Sequence, residues 1–97
     1  MAIVAVFQSP TLTQAKYEET VRRITGGRPR LEKPADWPVE GLLVHAAGQG
    51  PNGFRVVDVW QSKEAFERFG EKLMPILKAA GIEGQPEIYP AHTFVSA

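Results

Sequence analysis

The sequence predicts a single α+β domain with the element order β-α-β-β-α-β, and three observations carry that reading. Two apolar runs rich in strand-forming residues flank a turn dense in Gly, Pro and Asn at residues 48–53. Two other stretches repeat apolar residues every three or four positions, each behind a Ser or Thr able to cap a helix. Strand-like segments stand near both ends. Ninety-seven residues make one domain, able to bury about 60–65% of its unfolded surface around one modest core.

The elements follow in order. Ala2 to Phe7 is almost wholly apolar and reads as a buried or central strand, ended by Ser9-Pro10. Thr11-x-x-Gln14 has the form of a capping box, with Thr13 as a competing cap. Tyr17, Val21 and Ile24 recur at i, i+4 and i+7 along one helical face, and Gly26-Gly27 ends that helix. Arg28 to Glu40 loses periodicity and holds Pro29, Pro34, Pro38 and Trp37. So long a connection is uncommon in a compact domain, and its Trp37 favours a lid over a free surface loop. Gly41 opens a strand from Leu42 to Ala47. Gly48–Gly53 turns the chain, and Phe54 to Trp60 returns it as an antiparallel partner. Ser62 caps a second helix whose apolar stripe holds Ala65, Phe66, Phe69, Leu73, Ile76 and Leu77. Pro75 is expected to kink or restart that helix, and Gly81 to close it. After a turn at Gly84–Pro86, Glu87 to Val95 reads as the last strand, with Pro90 at an edge or bulge.

This is the ferredoxin-like, split βαβ order. It implies a four-stranded antiparallel sheet with both helices on one face. The open face would carry Val, Phe, Trp and Leu side chains to solvent, and so apolar a face needs a cover. A second copy of the chain, closing sheet to sheet as a homodimer, is the economical one.

Composition narrows the function. Forty-three per cent of the residues are hydrophobic and 23% charged, which argues against disorder. Eleven Lys and Arg balance eleven Asp and Glu, without the basic excess of a nucleic-acid binder. No cysteine is present, which excludes disulfides, thiolate metal sites and Cys nucleophiles and fits a reducing compartment. No apolar run reaches membrane-spanning length, and the first residues lack the basic start of a signal peptide, so a soluble cytoplasmic domain with no membrane partner is expected. Ser9, Ser62 and Ser96 lack a nucleophile-elbow context, and the Gly48–Gly53 glycines lack the Lys-Ser/Thr of a phosphate loop.

Gly41-Leu-Leu-Val-His45, the hairpin, and Phe54 through Phe69 resemble the dimeric α+β-barrel superfamily. That group includes antibiotic-biosynthesis-type monooxygenases, heme-degrading monooxygenases and stress-responsive barrel proteins. The Val-Trp-x-Ser-x-x-x-Phe run from Val59 to Phe66 is the most specific piece. The resemblance implies a homodimer with a cavity in each protomer between sheet and helices. Members that oxidise aromatic polyketides need no metal or flavin and present a Trp to an apolar pocket, and Trp60 stands at that place. Heme-degrading members add an Asn early in strand one and a His on the second helix. Here Gln8 stands near the first position and residues 62–80 contain no His, which argues against heme. Several other members also carry a helix His that this chain lacks.

Strand alternation places Phe54, Val56, Asp58 and Trp60 on one face. Asp58 is then a carboxyl among apolar neighbours, which must be paired, hydrogen-bonded or protonated. It could serve as a general base toward an acidic phenol. The commoner outcome is a structural acid bonded to the backbone or to Arg55. His45, inside strand two with Leu43 and Ala47, is the natural base near neutral pH. Pairing Gly48 with Gly53 would set it opposite Val56 with Asp58 on its face, and a one-residue slip would reverse that. His92, expected beside Ile88 and Phe94 in the last strand, has no metal-ligand spacing to His45 or Asp58. The expected function is binding of an apolar, aromatic small molecule, in its enzymatic form by a cofactor-independent monooxygenase without a metal. His45 and Asp58 would deprotonate a phenolic substrate, and Trp60, Tyr17, Phe54, Val56, Trp37 and Phe66 would wall the pocket. The competing reading is a non-catalytic dimeric barrel, structural, stress-related or regulatory, with its interior filled by side chains.

Overall fold

The computed structural model describes residues 1–27, 32–33 and 36–95. Arg28–Leu31, Pro34, Ala35, Ser96 and Ala97 lie outside the described residues, and much of the expected lid with them. The elements are β1 (Ile3–Gln8), α1 (Gln14–Thr25), β2 (Leu42–Gly50), β3 (Gly53–Trp60), α2 (Lys63–Ala79) and β4 (Glu87–Pro90). The strands form one antiparallel sheet in the order β2-β3-β1-β4. The ferredoxin-like α+β architecture is therefore the one that forms. The apolar β1 sits inside the sheet, paired on both edges.

Both helices pack on one sheet face. Ile3, Ala5, Leu42 and Trp60 from the sheet meet Val21 and Ile24 of α1 and Ala65 and Phe69 of α2 in the main core. Leu12, Phe54 and Ile82 form a second, smaller cluster. The open face carries Val4, Val6, Val44, Val57 and Val59 through the pairs Val4–Val59, Val6–Val57 and Val44–Val59. The Phe, Trp and Leu expected there instead lie under the helices, because alternation along β3 puts Phe54 and Trp60 on the other side.

The helix ends follow local chemistry. Thr13 caps α1, accepting from the Lys16 amide at 3.2 Å. Thr11 does not, because its hydroxyl is taken by the Glu83 amide at 2.7 Å and by Ser9. Ser62 caps α2, accepting from the Ala65 amide at 3.1 Å. This helix runs on through Pro75 instead of restarting there, with Leu73 and Ile76 packed on the core to either side. It ends in a Schellman motif: Gly81, at φ 73, donates to the Lys78 carbonyl and Ile82 to the Leu77 carbonyl. Among the described residues no helix is long and apolar enough to cross a membrane.

The hairpin differs in register from the expected one. β2 continues to Gly50 instead of stopping at Ala47, and the turn contains only Pro51 and Asn52. Pro51 presets the first corner of a turn, which decides between the two pairings the glycines allow. His45 is consequently opposite Asp58, not Val56. The register moves by two residues, so both side chains keep their face. An irregularity between Leu42 and Val44 leaves Leu43 unpaired, and Leu42 takes the place opposite Trp60. β4 stops at Pro90 instead of Val95. After Ala91 donates to the Ala2 carbonyl the chain leaves the ladder, which puts His92 beyond the strand and exposed.

Gly41 joins the hairpin to α2. Its φ is 113°, its carbonyl accepts from the Gln61 amide at 2.8 Å, and an added Cβ would stand 2.6 Å from Ala65 Cβ. Gly41→Ala combines backbone strain with overpacking and should destabilise the fold by about 2–3 kcal/mol. A lower urea midpoint at unchanged slope is the expected reading.

Candidate active site

A cavity of about 450 Å³ lies between the helices and the sheet, within the range of small-molecule sites. Its wall is mostly hydrocarbon, from Ala5, Phe7 and Val56 of the sheet, Val21 of α1, and Phe66, Phe69, Leu73 and Leu77 of α2. Tyr17, Trp37, His45 and Asp58 supply polar atoms to it, and the exposed Glu67 and Glu71 also border it.

Three of these side chains form a hydrogen-bonded chain. Asp58, 6% exposed, holds His45 Nδ1 at 2.6 Å through Oδ1 and accepts from Trp60 Nε1–H at 3.3 Å through Oδ2. His45 Nε2 is 2.5 Å from the Tyr17 hydroxyl. An ionised Asp58 can only accept, so Nδ1 carries the hydrogen. On a neutral imidazole Nε2 is then the acceptor and Tyr17 the donor. Burial, with the Asp58 charge adding to it, pushes the Tyr17 hydroxyl from 10.0 up to about 12. Tyr17 therefore keeps its proton near neutral pH. Its ring stacks on His45 with centroids 6.0 Å apart, and Trp37 stands 5.3 Å from the same imidazole.

The elements position this chain simply. The hairpin register sets His45 opposite Asp58. Tyr17 begins the helical stripe that continues with Val21 and Ile24, so docking α1 on the sheet carries its hydroxyl to His45. The Asp58 partners are His45 and Trp60, not the backbone or Arg55, which is exposed. Among the described residues no three His, Cys, Asp or Glu side chains gather so as to hold a metal ion.

Of the pocket residues expected from sequence, Tyr17, Trp37, Val56 and Phe66 border the cavity together with His45 and Asp58. Trp60 does not. It is wholly buried, with Phe69 stacked on it at 5.1 Å, and reaches the cavity only through its bond to Asp58. Phe54 does not either: it packs with Leu12 and Ile82 and meets the site through the Tyr17 ring at 5.1 Å. Gln8 is exposed, away from the cavity. Sequence reasoning missed the part Tyr17 plays as the partner of His45 and the place of Phe69 in the wall. The helical stripe flagged both side chains as inward-facing, but nothing in it pairs Tyr17 with a strand residue.

No family model and no curated relative matches the sequence. Solved structures do. SnoaB, a cofactor-independent oxygenase from Streptomyces nogalater, aligns over 99% of this chain and 96% of its own, at 14% identity and a TM-score of 0.58. The chain has the fold of SnoaB. A substituted form of the same oxygenase gives 17% identity and 0.57 over the same shares. A monooxygenase from Streptomyces coelicolor, ActVA-Orf6 in complex with nanaomycin D, covers 99% of this chain and 91% of its own at 19% identity and a TM-score of 0.46. The resemblance read from Gly41 through Phe69 thus holds at the level of fold.

Two outcomes follow from the chain of bonds. Asp58→Ala leaves His45 Nδ1–H and Trp60 Nε1–H without their acceptor, and should lower stability in urea by about 2–4 kcal/mol. Tyr17 holds its proton more tightly folded than unfolded, so its contribution is complete below pH 10 and is lost as the pH rises toward 12. The melting temperature should accordingly fall less steeply over that window in Tyr17→Phe than in the parent.

Proposed function

We propose that this protein is a cofactor-independent monooxygenase acting on a hydroxylated aromatic small molecule held in the cavity. The observation that carries the reading is an imidazole held at Nδ1 by a buried carboxylate and joined at Nε2 to a hydroxyl in an apolar cavity wall. The likeness of fold to SnoaB supports it.

A substrate hydroxyl beside Tyr17 gives its proton to the Tyr17 oxygen while Tyr17 passes its own to His45 Nε2. Tyr17 stays neutral throughout, and Asp58 stabilises the imidazolium that forms. The substrate anion is rich in electrons at the ring carbon conjugated to its oxygen, and that carbon is oxidised by dioxygen. A C–O bond forms, His45 returns its proton through Tyr17 to give a hydroperoxide, and loss of water leaves a carbonyl. A CH₂ group and O₂ become C=O and H₂O, so the substrate supplies all the electrons. The hydrocarbon wall keeps water from the anion. A filled interior would have favoured the non-catalytic reading, and an open cavity of about 450 Å³ does not.

The homodimer belongs to the same proposal. Val4, Val44 and Val57 of that face are half-buried, Val6 and Val59 are buried, and Tyr89 beside Val4 is 47% exposed, leaving an apolar surface that a second copy would cover. Native mass spectrometry should give twice the subunit mass, and Val57→Asp should give the monomer.

Dioxygen uptake with a hydroxyanthrone tests the chemistry. The expected result is one O₂ consumed per anthrone, slowed at least about a hundredfold in His45→Ala. Full activity in a His45→Ala, Asp58→Ala double variant would remove both residues from the mechanism.

A further inference from the structure

The chain has no cysteine, so the loss of one electron falls on its two tyrosines and two tryptophans. Such a ring becomes a strong acid once an electron has left it. Oxidation is easiest where a base already holds the O–H or N–H, because proton and electron then leave together and no charged ring forms. Trp37 Nε1–H has no acceptor among the described residues. Trp60 Nε1–H is 3.3 Å from the carboxylate of Asp58, and a carboxylate is a weaker base than an imidazole. Tyr89 stands beside Val4 on the open sheet face, bonded to no base among the described residues. Tyr17 differs from all three: its hydroxyl is 2.5 Å from His45 Nε2, and Asp58 holds Nδ1 of the same imidazole at 2.6 Å.

We propose that Tyr17 is a redox-active side chain, which gives one electron to an organic peroxyl radical while its proton crosses to His45 Nε2. The Tyr17 O–H bond breaks and an N–H bond forms on Nε2, leaving a neutral phenoxyl and an imidazolium beside Asp58. The peroxyl radical is reduced by one electron to the peroxide anion, which takes a proton from water and leaves as the hydroperoxide. Tyr17 borders the cavity, so an oxidant that enters meets it directly. Burial, with the Asp58 charge adding to it, pushes the Tyr17 hydroxyl up to about 12 because the phenolate is charged. A phenoxyl carries no charge and escapes both penalties. The same Asp58 charge stabilises the imidazolium. The step needs no substrate anion, so it stands apart from the oxygenase proposed above.

The test is one-electron oxidation of the protein with no ligand added. Light and a cobalt(III) ammine convert tris(bipyridine)ruthenium(II) to the ruthenium(III) oxidant, and the products are frozen for electron paramagnetic resonance. The parent should give a tyrosyl spectrum that survives in Tyr89→Phe and is lost in Tyr17→Phe. At high field that radical should show the lowered g value of a phenoxyl oxygen bonded to a cation. Tyr89→Phe changes only a half-exposed side chain and keeps its ring, so this arm does not depend on a core variant folding. A tryptophan radical in place of the tyrosyl, loss of the signal in Tyr89→Phe, or the g value of an unbonded phenoxyl overturns the proposal. His45→Gln keeps a polar side chain but removes the base, and the tyrosyl yield should fall at least about tenfold, the worth of one pKa unit. An undiminished yield in folded His45→Gln overturns the role of the imidazole, and the proposal with it. An azo initiator decomposing in air supplies the peroxyl radical itself, with bleaching of fluorescein as the reporter. The parent should protect the dye, and the protection should be lost in Tyr17→Phe and kept in Tyr89→Phe. Equal protection by the parent and Tyr17→Phe overturns the choice of oxidant.

Discussion

The buried carboxylate of Asp58 is the constraint on which the rest of the site depends. A charge taken out of water must have its lone pairs satisfied by the protein. One oxygen holds His45 across the hairpin, and the other holds the Trp60 indole on its own strand. The first bond suits only a register that sets β2 and β3 with these two residues opposite each other. The second fixes the ring against which Phe69 of α2 stacks. Tyr17 of α1 then closes on the far nitrogen of the imidazole. One charge thus ties together two strands and both helices.

The same region explains why a small domain contains so large a space. Its core is divided in two, around Trp60 and Phe69 on one side and around Leu12, Phe54 and Ile82 on the other. Tyr17 packs against both clusters, and the cavity opens beside it. Side chains lining a void lose dispersion contacts on that side, so the space is maintained at the expense of stability. The polar chain gives the void a rigid floor: each of its members is held by another, and the rings of Tyr17 and Trp37 flank the imidazole.

Much of this was legible in the sequence, for reasons that differ from residue to residue. The element order could be read because apolar runs, helical stripes and turn residues are local signals. Alternation from Phe54 to Trp60 alone was enough to put Asp58 on the buried face. The hairpin register was ambiguous, since glycines at 48, 50 and 53 each permit a turn, and Pro51 resolves it through a preference of one backbone angle. Both registers share parity, so either one puts His45 on the face of Asp58. Alternation alone reads Trp60 as a pocket wall, but Phe69, which reaches it when α2 docks, covers its ring. The bond between Tyr17 and His45 likewise joins residues 28 positions apart, and no spacing rule announces it. The length of β4 was overestimated because alternation continues past Pro90 while the ladder does not.

The hydrocarbon lining has one more effect. Apolar cavities in proteins stay dry and take up small nonpolar guests such as xenon or benzene. Dioxygen is such a guest, and it dissolves better among methyl groups and aromatic edges than in water. In the oxygenase proposed above, the wall formed by Val21, Val56, Phe66 and Leu73 would be the place where dioxygen collects beside the substrate ring. Under that proposal no side chain need be set aside to hold the oxidant, because the solvent properties of the interior would gather it.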